Sequence, residues 1–314
     1  MKTKKNCLYC YKALENEIDF HKKCALEFFG TTTPPKLSYN LTEMDALAKD
    51  VISRSIAVPG VQPKLSMSLD NNTSTKENPR LTVVGALGGN YIFKPPSSAY
   101  KEIPENEHLT MRIAEAFSIS VVPSSLIRLA SGELSYITKR IDRTSEGDKI
   151  HMIDFFQITE AFDKYKSSME KVGKAIGQYA SNTLLDKILF FELALFSFLT
   201  GNNDMHLKNF SMIESASGWK LAPAYDLLNV AILLPEDTEE LALTLTGKKS
   251  NLKKQHFEQL GIDLGLTEKQ IKGVFKRMLK NKTKAIQFIE ASFLSDEMQL
   301  SYKTILDHRY QKIE

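Results

Sequence analysis

The stretch that decides the fold of this chain is Phe198-Leu199-Thr200-Gly201-Asn202-Asn203-Asp204-Met205-His206-Leu207-Lys208-Asn209-Phe210. An apolar, helix-like run ends at Gly201, a cluster of polar residues follows, and apolar sequence resumes at Phe210. Glycine, asparagine and aspartate favour turns because they tolerate turn backbone conformations or bond to their own backbone. The stretch therefore predicts a turn that presents polar side chains between two anchored elements.

Asp204 and Asn209 have the D-x-x-x-x-N spacing of a kinase catalytic loop. In such a loop the carboxylate lies beside the attacking hydroxyl, and the amide oxygen binds a metal ion. Asp and Asn also recur at this spacing by chance, because both favour turns. Further along, Leu221-Ala222-Pro223-Ala224-Tyr225-Asp226 supplies a second carboxylate at Asp226, where a phosphotransfer enzyme needs one for Mg²⁺. The two motifs together predict a phosphotransfer site.

Composition indicates an ordinary globular protein. The 314 residues exceed a usual single core, so one small and one larger domain are expected. Hydrophobic residues make up 42% and charged residues 25% of the chain, and a net charge of +3 gives no argument for nucleic-acid binding. No uncharged apolar run is long enough for a membrane span, and no apolar leader follows the first lysines. We expect a cytoplasmic protein without a membrane partner.

All three cysteines of the chain lie near its start, together with a histidine. Cys7-x-x-Cys10 and His21-x-x-Cys24 form two ligand pairs of the short spacing that grips a tetrahedral zinc ion. The alternative is that these residues only pack a reduced hairpin. A structural zinc knuckle would stabilise an N-terminal module that is too small for its own core.

The segment between the cysteines and Arg143 predicts a short helix and then an antiparallel sheet. Residues 31–35 form a proline-containing linker, and residues 40–54 show helical spacing. Pro59-Gly60 is a turn signal whose neighbouring backbone N–H groups, close to Lys64, could cover phosphates; a plain hairpin is the alternative. Strands follow at residues 81–84, 90–96, 121–128 and 134–143.

Lys94 ends an otherwise apolar strand, which suits the phosphate-pairing lysine of a kinase or a lysine that snorkels at a sheet edge. Glu107 lies in an amphipathic helix predicted over residues 105–117. Glu107 could pair with Lys94, but an acid near a helix start is also favoured by the helix dipole, and we prefer that second interpretation. Residues 183–200 are apolar nearly all round, which predicts the buried central helix of a helical domain.

Taken in order, these segments resemble the HipA family of serine/threonine kinase toxins. The resemblance covers most of the chain from about Val51, and its most specific elements are the H-x-K-N-F-S and L-x-P-x-Y-D motifs. The segments that carry it are Gly60-Val61-Gln62-Pro63-Lys64, Ile92-Phe93-Lys94, Asn106-Glu107, Lys139-Arg140-Ile141-Asp142-Arg143, Asp204-Met205-His206-Leu207-Lys208-Asn209-Phe210-Ser211 and Leu221-Ala222-Pro223-Ala224-Tyr225-Asp226.

The resemblance implies an α+β, two-lobed, protein-kinase-like fold with a β-rich N-lobe and an α-helical C-lobe. We expect a Cys/His module over residues 1–30, a linker and helix over 31–50, an N-lobe over 51–143 and a helical C-lobe over 144–314. ATP and Mg²⁺ are the implied cofactors, with Asp204 as catalytic base and Asn209 and Asp226 as metal ligands. The implied nucleotide-binding residues are Val58, Gly60, Val61, Gln62, Lys64, Lys94, Lys139, Ile141, Asp142, His206 and Lys208. Among them, Lys139 and Ile141 would bind the adenine through their backbone, and Asp142 would lie near the ribose.

The resemblance also implies partners. Family members phosphorylate aminoacyl-tRNA synthetases and are neutralised by an antitoxin, typically a DNA-binding HipB-like protein, so DNA is contacted only indirectly. Only about fifty residues precede the phosphate loop here, whereas the full-length family carries a further N-terminal subdomain. This resembles the shorter HipT-like branch, in which a small separate HipS-like protein supplies that subdomain and acts as antitoxin.

A second departure concerns self-control. Family members autophosphorylate a serine just before the loop glycine, which silences the kinase, and this chain has Ala57 at the aligned position. Two explanations stay open: Ser55, two residues earlier, takes over as the modified serine, or Ala57 is an engineered block of this self-control. Two other functions stay open: a small-molecule phosphotransferase, since antibiotic kinases share D-x-x-x-x-N, and an inactive module that binds nucleic acid or a partner protein.

Overall fold

The computed structural model describes residues 5–44, 46–47, 64–70, 79–84, 88–144 and 146–314. Ser55, Ala57 and the predicted phosphate loop at Val58, Gly60, Val61 and Gln62 lie outside the described residues, and the predicted helix over 40–54 is described only in part. The chain divides into two compact units. The first comprises Met1–His108, Val122–Asp148 and Ala291–Phe293, and the second comprises Leu109–Val121, Lys149–Glu290 and Leu294–Glu314.

The first unit is built on a five-stranded antiparallel sheet. Its strands are β1 (Leu65–Asp70), β2 (Arg80–Val84), β3 (Tyr91–Lys94), β4 (Ser124–Arg128) and β5 (Leu134–Lys139), in the spatial order β2-β1-β3-β5-β4. The register places Lys94 at the end of β3 opposite Tyr136 of β5. Because side chains alternate along a strand, this register decides which residues lie beside Lys94.

The N-terminal Cys/His module packs against this sheet. Helix α1 (Lys22–Phe29) buries Phe28 and Phe29, and the Phe28 ring centroid lies 5.9 Å from that of Tyr91. The backbone N–H of Leu126 donates to the carbonyl of Leu8 at 3.3 Å. The module therefore shares the hydrophobic core of the sheet, which a segment of this length could not form alone.

Helix α2 (Ile103–Ala116) starts in the first unit and ends in the second. It begins two residues earlier than the predicted start at Glu105. Pro104 is compatible with this start, because proline is tolerated in the first turn of a helix, where its missing N–H has no intrahelical partner. Glu107 consequently lies beyond the first turn, where the interaction with the helix dipole is weak.

The second unit is mainly helical. After β6 (Met152–Asp154) it contains α3 (Phe155–Ile158), α4 (Met169–Tyr179), α5 (Thr183–Leu199), β7 (Ser211–Ser215), β8 (Gly218–Leu221), α6 (Lys254–Asp263), α7 (Glu268–Ala291) and α8 (Asp296–Gln311). Among the described helices, none has both the length and the apolar character needed to cross a bilayer. Helix α5 starts at the side-chain cap of Asn182 and is buried continuously from Phe190 to its end. This helix is the predicted central element of the unit.

The second unit also contains a three-stranded antiparallel sheet with the strand order β6-β7-β8. The sequence led us to expect an α-helical C-lobe in this part of the chain, without these three strands. Strands of three to five residues are too short to show a clear alternation of apolar and polar residues, so the pattern did not indicate them. The sheet matters for the site because β7 begins directly after Phe210 and so anchors the end of the polar turn.

Candidate active site

The polar turn begins at Gly201, two residues after the end of α5. This glycine has φ of +67°, and a Cβ built on it would lie 2.6 Å from Oδ1 of Asn229 and 2.9 Å from Cγ2 of Ile305. The same Oδ1 accepts a hydrogen bond from the N–H of Ile232, and the carbonyl of Gly201 accepts one from the N–H of Ala231. Close packing and left-handed backbone together require glycine at this position.

We expect Gly201→Ala to lower the free energy of unfolding by about 1–3 kcal/mol, because alanine is strained at this φ and its methyl group would displace Asn229. Gly273→Ala is the matched control: Gly273 lies in α7, and a methyl group there would meet only the end of the Arg277 side chain, 4.0 Å away. That control should be neutral or stabilising, since alanine favours helix. Urea unfolding of both variants makes the comparison, and equal stability of the two would contradict this interpretation of Gly201.

Asp204 and Asn209 are fixed to each other across the turn. The Nδ2 group of Asn209 donates to the backbone carbonyl of Asp204 at 2.9 Å, and Oδ1 of Asn202 accepts from the N–H of Asp204 at 3.3 Å. A short 3₁₀ helix, Leu207–Asn209, closes the turn. Because the amide nitrogen of Asn209 is engaged, its side-chain oxygen is the atom left to bind a metal ion.

Asp226 belongs to a segment that is tied to the same turn. The hydroxyl of the preceding Tyr225 donates to the carbonyl of Lys208 at 3.0 Å and lies 2.5 Å from Oγ of Ser211. Burial raises the pKa of Tyr225, so the phenol stays a hydrogen-bonding group. Asp226 itself has φ of +55°, a conformation that non-glycine residues adopt rarely and that often marks a functional position.

Two residues that the sequence analysis did not single out contact this turn. The hydroxyl of Tyr165 donates to Oδ1 of Asp204 at 2.7 Å. Nζ of Lys164 lies 2.9 Å from Nε2 of His206, and that Nε2 is 4.0 Å from Oδ1 of Asp204. Both residues precede the turn by about forty positions in the sequence. Their distance along the chain matches no known motif, so the sequence pattern did not indicate them.

His206 and Lys208, both predicted nucleotide-binding residues, differ in their surroundings. His206 is buried, and burial lowers its pKa, which favours the neutral imidazole that can accept from Lys164. Lys208 is exposed, and its ammonium group lies 4.8 Å from the ring centroid of Phe156. Lys208 is therefore the more accessible of the two to a phosphate.

In the first unit, Lys94 forms a buried ion pair with Glu107. Their Nζ and Oε1 atoms are 2.6 Å apart, and both side chains are at most 5% exposed. Nζ of Lys94 also lies 5.2 Å from the ring centroid of Tyr136. Our preferred explanation of Glu107, an acid favoured by the helix dipole, is wrong. The acid neutralises the lysine, as a buried ammonium requires.

The predicted adenine contacts lie at the end of β5. The N–H of Lys139 donates to the carbonyl of Pro123 at 2.9 Å, so only the carbonyl of Lys139 can serve a nucleotide. Within the part of the chain that the structure describes, the N–H of Ile141 has no hydrogen-bond partner. A carbonyl and an N–H two residues apart match the donor and acceptor of an adenine ring.

Asp142, predicted near the ribose, is held by two arginines. Arg140 donates to both carboxylate oxygens, at 2.9 and 2.7 Å, and Arg143 donates to Oδ2 at 2.6 Å. These bonds, from Arg140 above all, lower the pKa of Asp142. A ribose hydroxyl would have to compete with both guanidinium groups for this carboxylate. Lys64, the described residue of the predicted phosphate loop, is exposed just before β1.

The four Cys/His residues come together in the first unit. Their ligand atoms lie within 4.8 Å of one another, with Nδ1 of His21 3.5 Å from Sγ of Cys10 and 3.8 Å from Sγ of Cys24. A hydrogen bond from Cys10 lowers the pKa of Cys7 to about 4 and favours its thiolate, whereas the hydrogen bond to Cys7 raises the pKa of Cys10 and burial raises that of Cys24. The cluster is compatible with a tetrahedral metal ion.

Several known proteins are similar to this chain in sequence. Residues 56–286 match the family model of the HipA-like C-terminal domain. A Haemophilus influenzae protein named "Putative kinase" is 27% identical over 290 residues, which cover 83% of this chain and 82% of that protein. "Putative kinase Y4dM" of Sinorhizobium fredii is 34% identical over 232 residues, which cover 68% of this chain but only 55% of the relative.

Among solved structures, HipA of Shewanella oneidensis, determined as part of a toxin–antitoxin complex with HipB and operator DNA, superposes with a TM-score of 0.67. The match has 22% sequence identity and covers 84% of this chain and 70% of that one. At this identity the likeness concerns the fold alone. Together with the helices and antiparallel sheets described above, it confirms the predicted α+β, kinase-like fold.

Proposed function

The chain belongs to the family of proteins with a HipA-like C-terminal domain, and on this premise we propose that it is an ATP-dependent serine/threonine protein kinase. The observation that carries the proposal is the hydrogen bond that fixes Asn209 to the carbonyl of Asp204. It holds a carboxylate and an amide oxygen on one rigid turn, which is the arrangement that phosphoryl transfer needs, since catalysis there depends mainly on alignment and charge neutralisation.

Asp204 is the proposed catalytic base. Its side chain is 37% exposed, so an acceptor hydroxyl can reach it. Tyr165 donates to Oδ1, which leaves Oδ2 to take the proton of the acceptor serine or threonine. As the hydroxyl oxygen bonds to the γ-phosphorus, the bond from that phosphorus to the β,γ-bridging oxygen breaks and ADP leaves. Tyr165 in this scheme orients the base, as the third member of a catalytic triad does.

Asn209 and Asp226 are the proposed Mg²⁺ ligands. An amide oxygen and a carboxylate are the hard oxygen donors that Mg²⁺ prefers, so the residues present fit the ion. When bound, Mg²⁺ neutralises charge on the ATP phosphates. Lys94, fixed by Glu107, would contact the phosphates, and the carbonyl of Lys139 and the N–H of Ile141 would bind adenine.

The proposed biological role is that of a toxin in a type II toxin–antitoxin system. The acceptor would be a host protein, which the resemblance to HipA suggests is an aminoacyl-tRNA synthetase, and its phosphorylation would inhibit translation. ATP and the synthetases are both cytoplasmic, so we place the reaction there. The proposed partners are a HipB-like DNA-binding antitoxin, as in the Shewanella complex, or a small HipS-like protein if the chain belongs to the HipT-like branch.

The proposal is tested by transfer of radiolabelled phosphate from ATP and Mg²⁺ to a host lysate and to the protein itself. We expect a labelled host protein band that disappears when EDTA removes the Mg²⁺ and in an Asn209→Ala variant. Label found only in small molecules would instead indicate a small-molecule phosphotransferase. Absence of any label from a protein that binds ATP would contradict the kinase assignment.

Autophosphorylation gives a separate prediction at the loop. If Ser55 replaces the serine that the family modifies, self-labelling should be lost in Ser55→Ala. Ala57→Ser restores a hydroxyl at the aligned position and should increase self-labelling, with slower transfer to the host protein as a result. Phosphopeptide mapping locates the label, and label that persists in Ser55→Ala would exclude Ser55 as the modified residue.

A further inference from the structure

The Cys/His cluster brings four side chains of the types that bind zinc within 4.8 Å of one another. Nε2 of His21 lies 3.0 Å from the carbonyl of Ala13, to which it can only donate, so Nδ1 is the nitrogen that carries the free lone pair. Nδ1 faces Cys10 and Cys24 at 3.5 and 3.8 Å. These distances match the ligand–ligand edges, roughly 3.5–3.8 Å, of a tetrahedron with ordinary Zn–N and Zn–S bonds.

The turn that contains Cys7 and Cys10 ends at Tyr11, whose side chain contacts residues outside the cluster. Tyr11 follows Cys10 directly, has φ of +64°, and donates its N–H to the carbonyl of Cys7 at 3.0 Å. A tyrosine with positive φ is strained and persists only where its surroundings enforce it. A metal ion that holds Cys7 and Cys10 at fixed positions would enforce this turn and thereby the direction of the Tyr11 side chain.

Tyr11 reaches the helix that carries Glu107. The tyrosine is 4% exposed, and its hydroxyl lies 2.9 Å from Nδ1 of His108, which is fully buried. The ring of Tyr11 meets the rings of His108 and Phe293 edge-on, at centroid distances of 5.2 and 5.5 Å. The turn at the cysteines is thus joined to α2 by a buried hydrogen bond and by aromatic contacts.

His108 is the immediate neighbour of Glu107, which forms the ion pair with Lys94. Its ring lies 6.5 Å from the ring of Tyr136, over which the Lys94 ammonium is placed. A shift of His108 would move Glu107 with it, because both residues belong to one helix. The position of Tyr11 and the position of the ion pair are therefore mechanically linked.

We propose that Cys7, Cys10, His21 and Cys24 bind a zinc ion, and that this ion acts through Tyr11 and His108 to keep Glu107 in place beside Lys94. The proposed effect of the ion on Glu107 rests on the proposed function, in which Lys94 contacts the ATP phosphates. Tyr11 is then a positioning residue for nucleotide binding, and the zinc module is a brace for the nucleotide-binding part of the first unit.

The metal is tested first, on the whole 314-residue chain under reducing conditions. Elemental analysis should find one zinc ion per chain, and Co²⁺ exchanged into the site should show the absorption of a tetrahedral thiolate complex. Cys10→Ser should lose most of this metal. A reduced protein that neither contains zinc nor takes up Co²⁺ would overturn the zinc site.

The brace is tested with Tyr11→Phe, which keeps the ring and removes only the hydroxyl. Tyr39→Phe is the matched control, since Tyr39 is another tyrosine of the first unit, partly buried against its hydrophobic core. We expect the Tyr11→Phe variant to retain zinc. Its ATP affinity should fall roughly three- to tenfold, which corresponds to the loss of one hydrogen bond. Hydrogen exchange of the α2 amides should be faster than in the unmodified protein. Removal of zinc by a chelator should produce the same two changes.

The two readouts separate this inference from the kinase assignment. If the unmodified chain binds no ATP, the proposed function fails, and hydrogen exchange of α2 still decides whether the brace exists. If zinc is present but Tyr11→Phe matches Tyr39→Phe in both ATP affinity and exchange, the coupling is refuted and the zinc site serves stability alone.

Discussion

Asp204→Asn should lower the rate of phosphate transfer by about 10²–10⁴-fold, the contribution expected of a positioned general base. Asparagine keeps the size of the side chain and an oxygen that can accept from Tyr165, whose hydroxyl lies 2.7 Å from Oδ1 of Asp204. The backbone carbonyl that holds Asn209 is unchanged. The variant therefore preserves the turn and removes the atom that takes the proton.

The measurement is the initial rate of label transfer at saturating ATP, together with ATP affinity and thermal unfolding of each variant. Asp263→Asn, an exposed change in α6, is the control and should behave as the unmodified protein does. Full transfer activity in Asp204→Asn would refute the assignment of the base. A loss of activity that accompanies unfolding would fail to support it, which is why the unfolding curve is part of the test.

Breaking the Lys94–Glu107 pair should have the largest effect on stability. Glu107→Leu leaves a buried ammonium without its carboxylate, which is expected to cost about 3–5 kcal/mol of the free energy of unfolding. The double variant Lys94→Met with Glu107→Leu removes both charges and should recover most of that loss, because apolar side chains of similar size suit a buried site. Denaturant unfolding of the single and double variants provides the comparison.

Activity separates the structural and functional roles of the pair. The double variant should be folded yet inactive, since it lacks the Lys94 ammonium group that would contact the ATP phosphates. The exposed pair of Glu268 and Lys272 in α7 is the control, and Glu268→Gln should change neither stability nor activity, because solvent screens such pairs. A double variant that transfers phosphate at the normal rate would remove Lys94 from the proposed site.

How much of the site could be predicted depends on the distance along the chain over which its parts interact. The turn at Asp204 and Asn209 follows from local signals: a long apolar helix, a glycine where it stops, and turn-forming polar residues at the catalytic spacing. The Cys/His cluster is also visible in the sequence, because each of its two ligand pairs has the short spacing of a zinc-binding pair. If the two pairs bind one metal ion, they must lie around a common centre.

Contacts between distant segments were beyond the reach of such patterns. Tyr165 precedes Asp204 by 39 positions, and Tyr11 precedes His108 by 97. The three-stranded sheet of the second unit was missed for a related reason. Its strands are short, and they are stabilised by pairing of β7 with β6 and with β8. Our preference for the helix dipole at Glu107 was wrong because the start of α2 and the register of Lys94 were both unknown from the sequence.

The sequence by itself determined the polar turn that carries Asp204 and Asn209 and the ligand spacing of the Cys/His cluster, because short-range rules of helix, turn and ligand spacing are recorded in a linear pattern. The kinase-like α+β class followed from the resemblance of its ordered motifs to the HipA family. Only the tertiary structure decided that Glu107 neutralises Lys94, that Tyr165 bonds to Asp204 and that the cysteine turn reaches α2 through Tyr11. Those pairings depend on sheet register and helix packing, in which many weak contacts act together, so no single stretch of sequence encodes them.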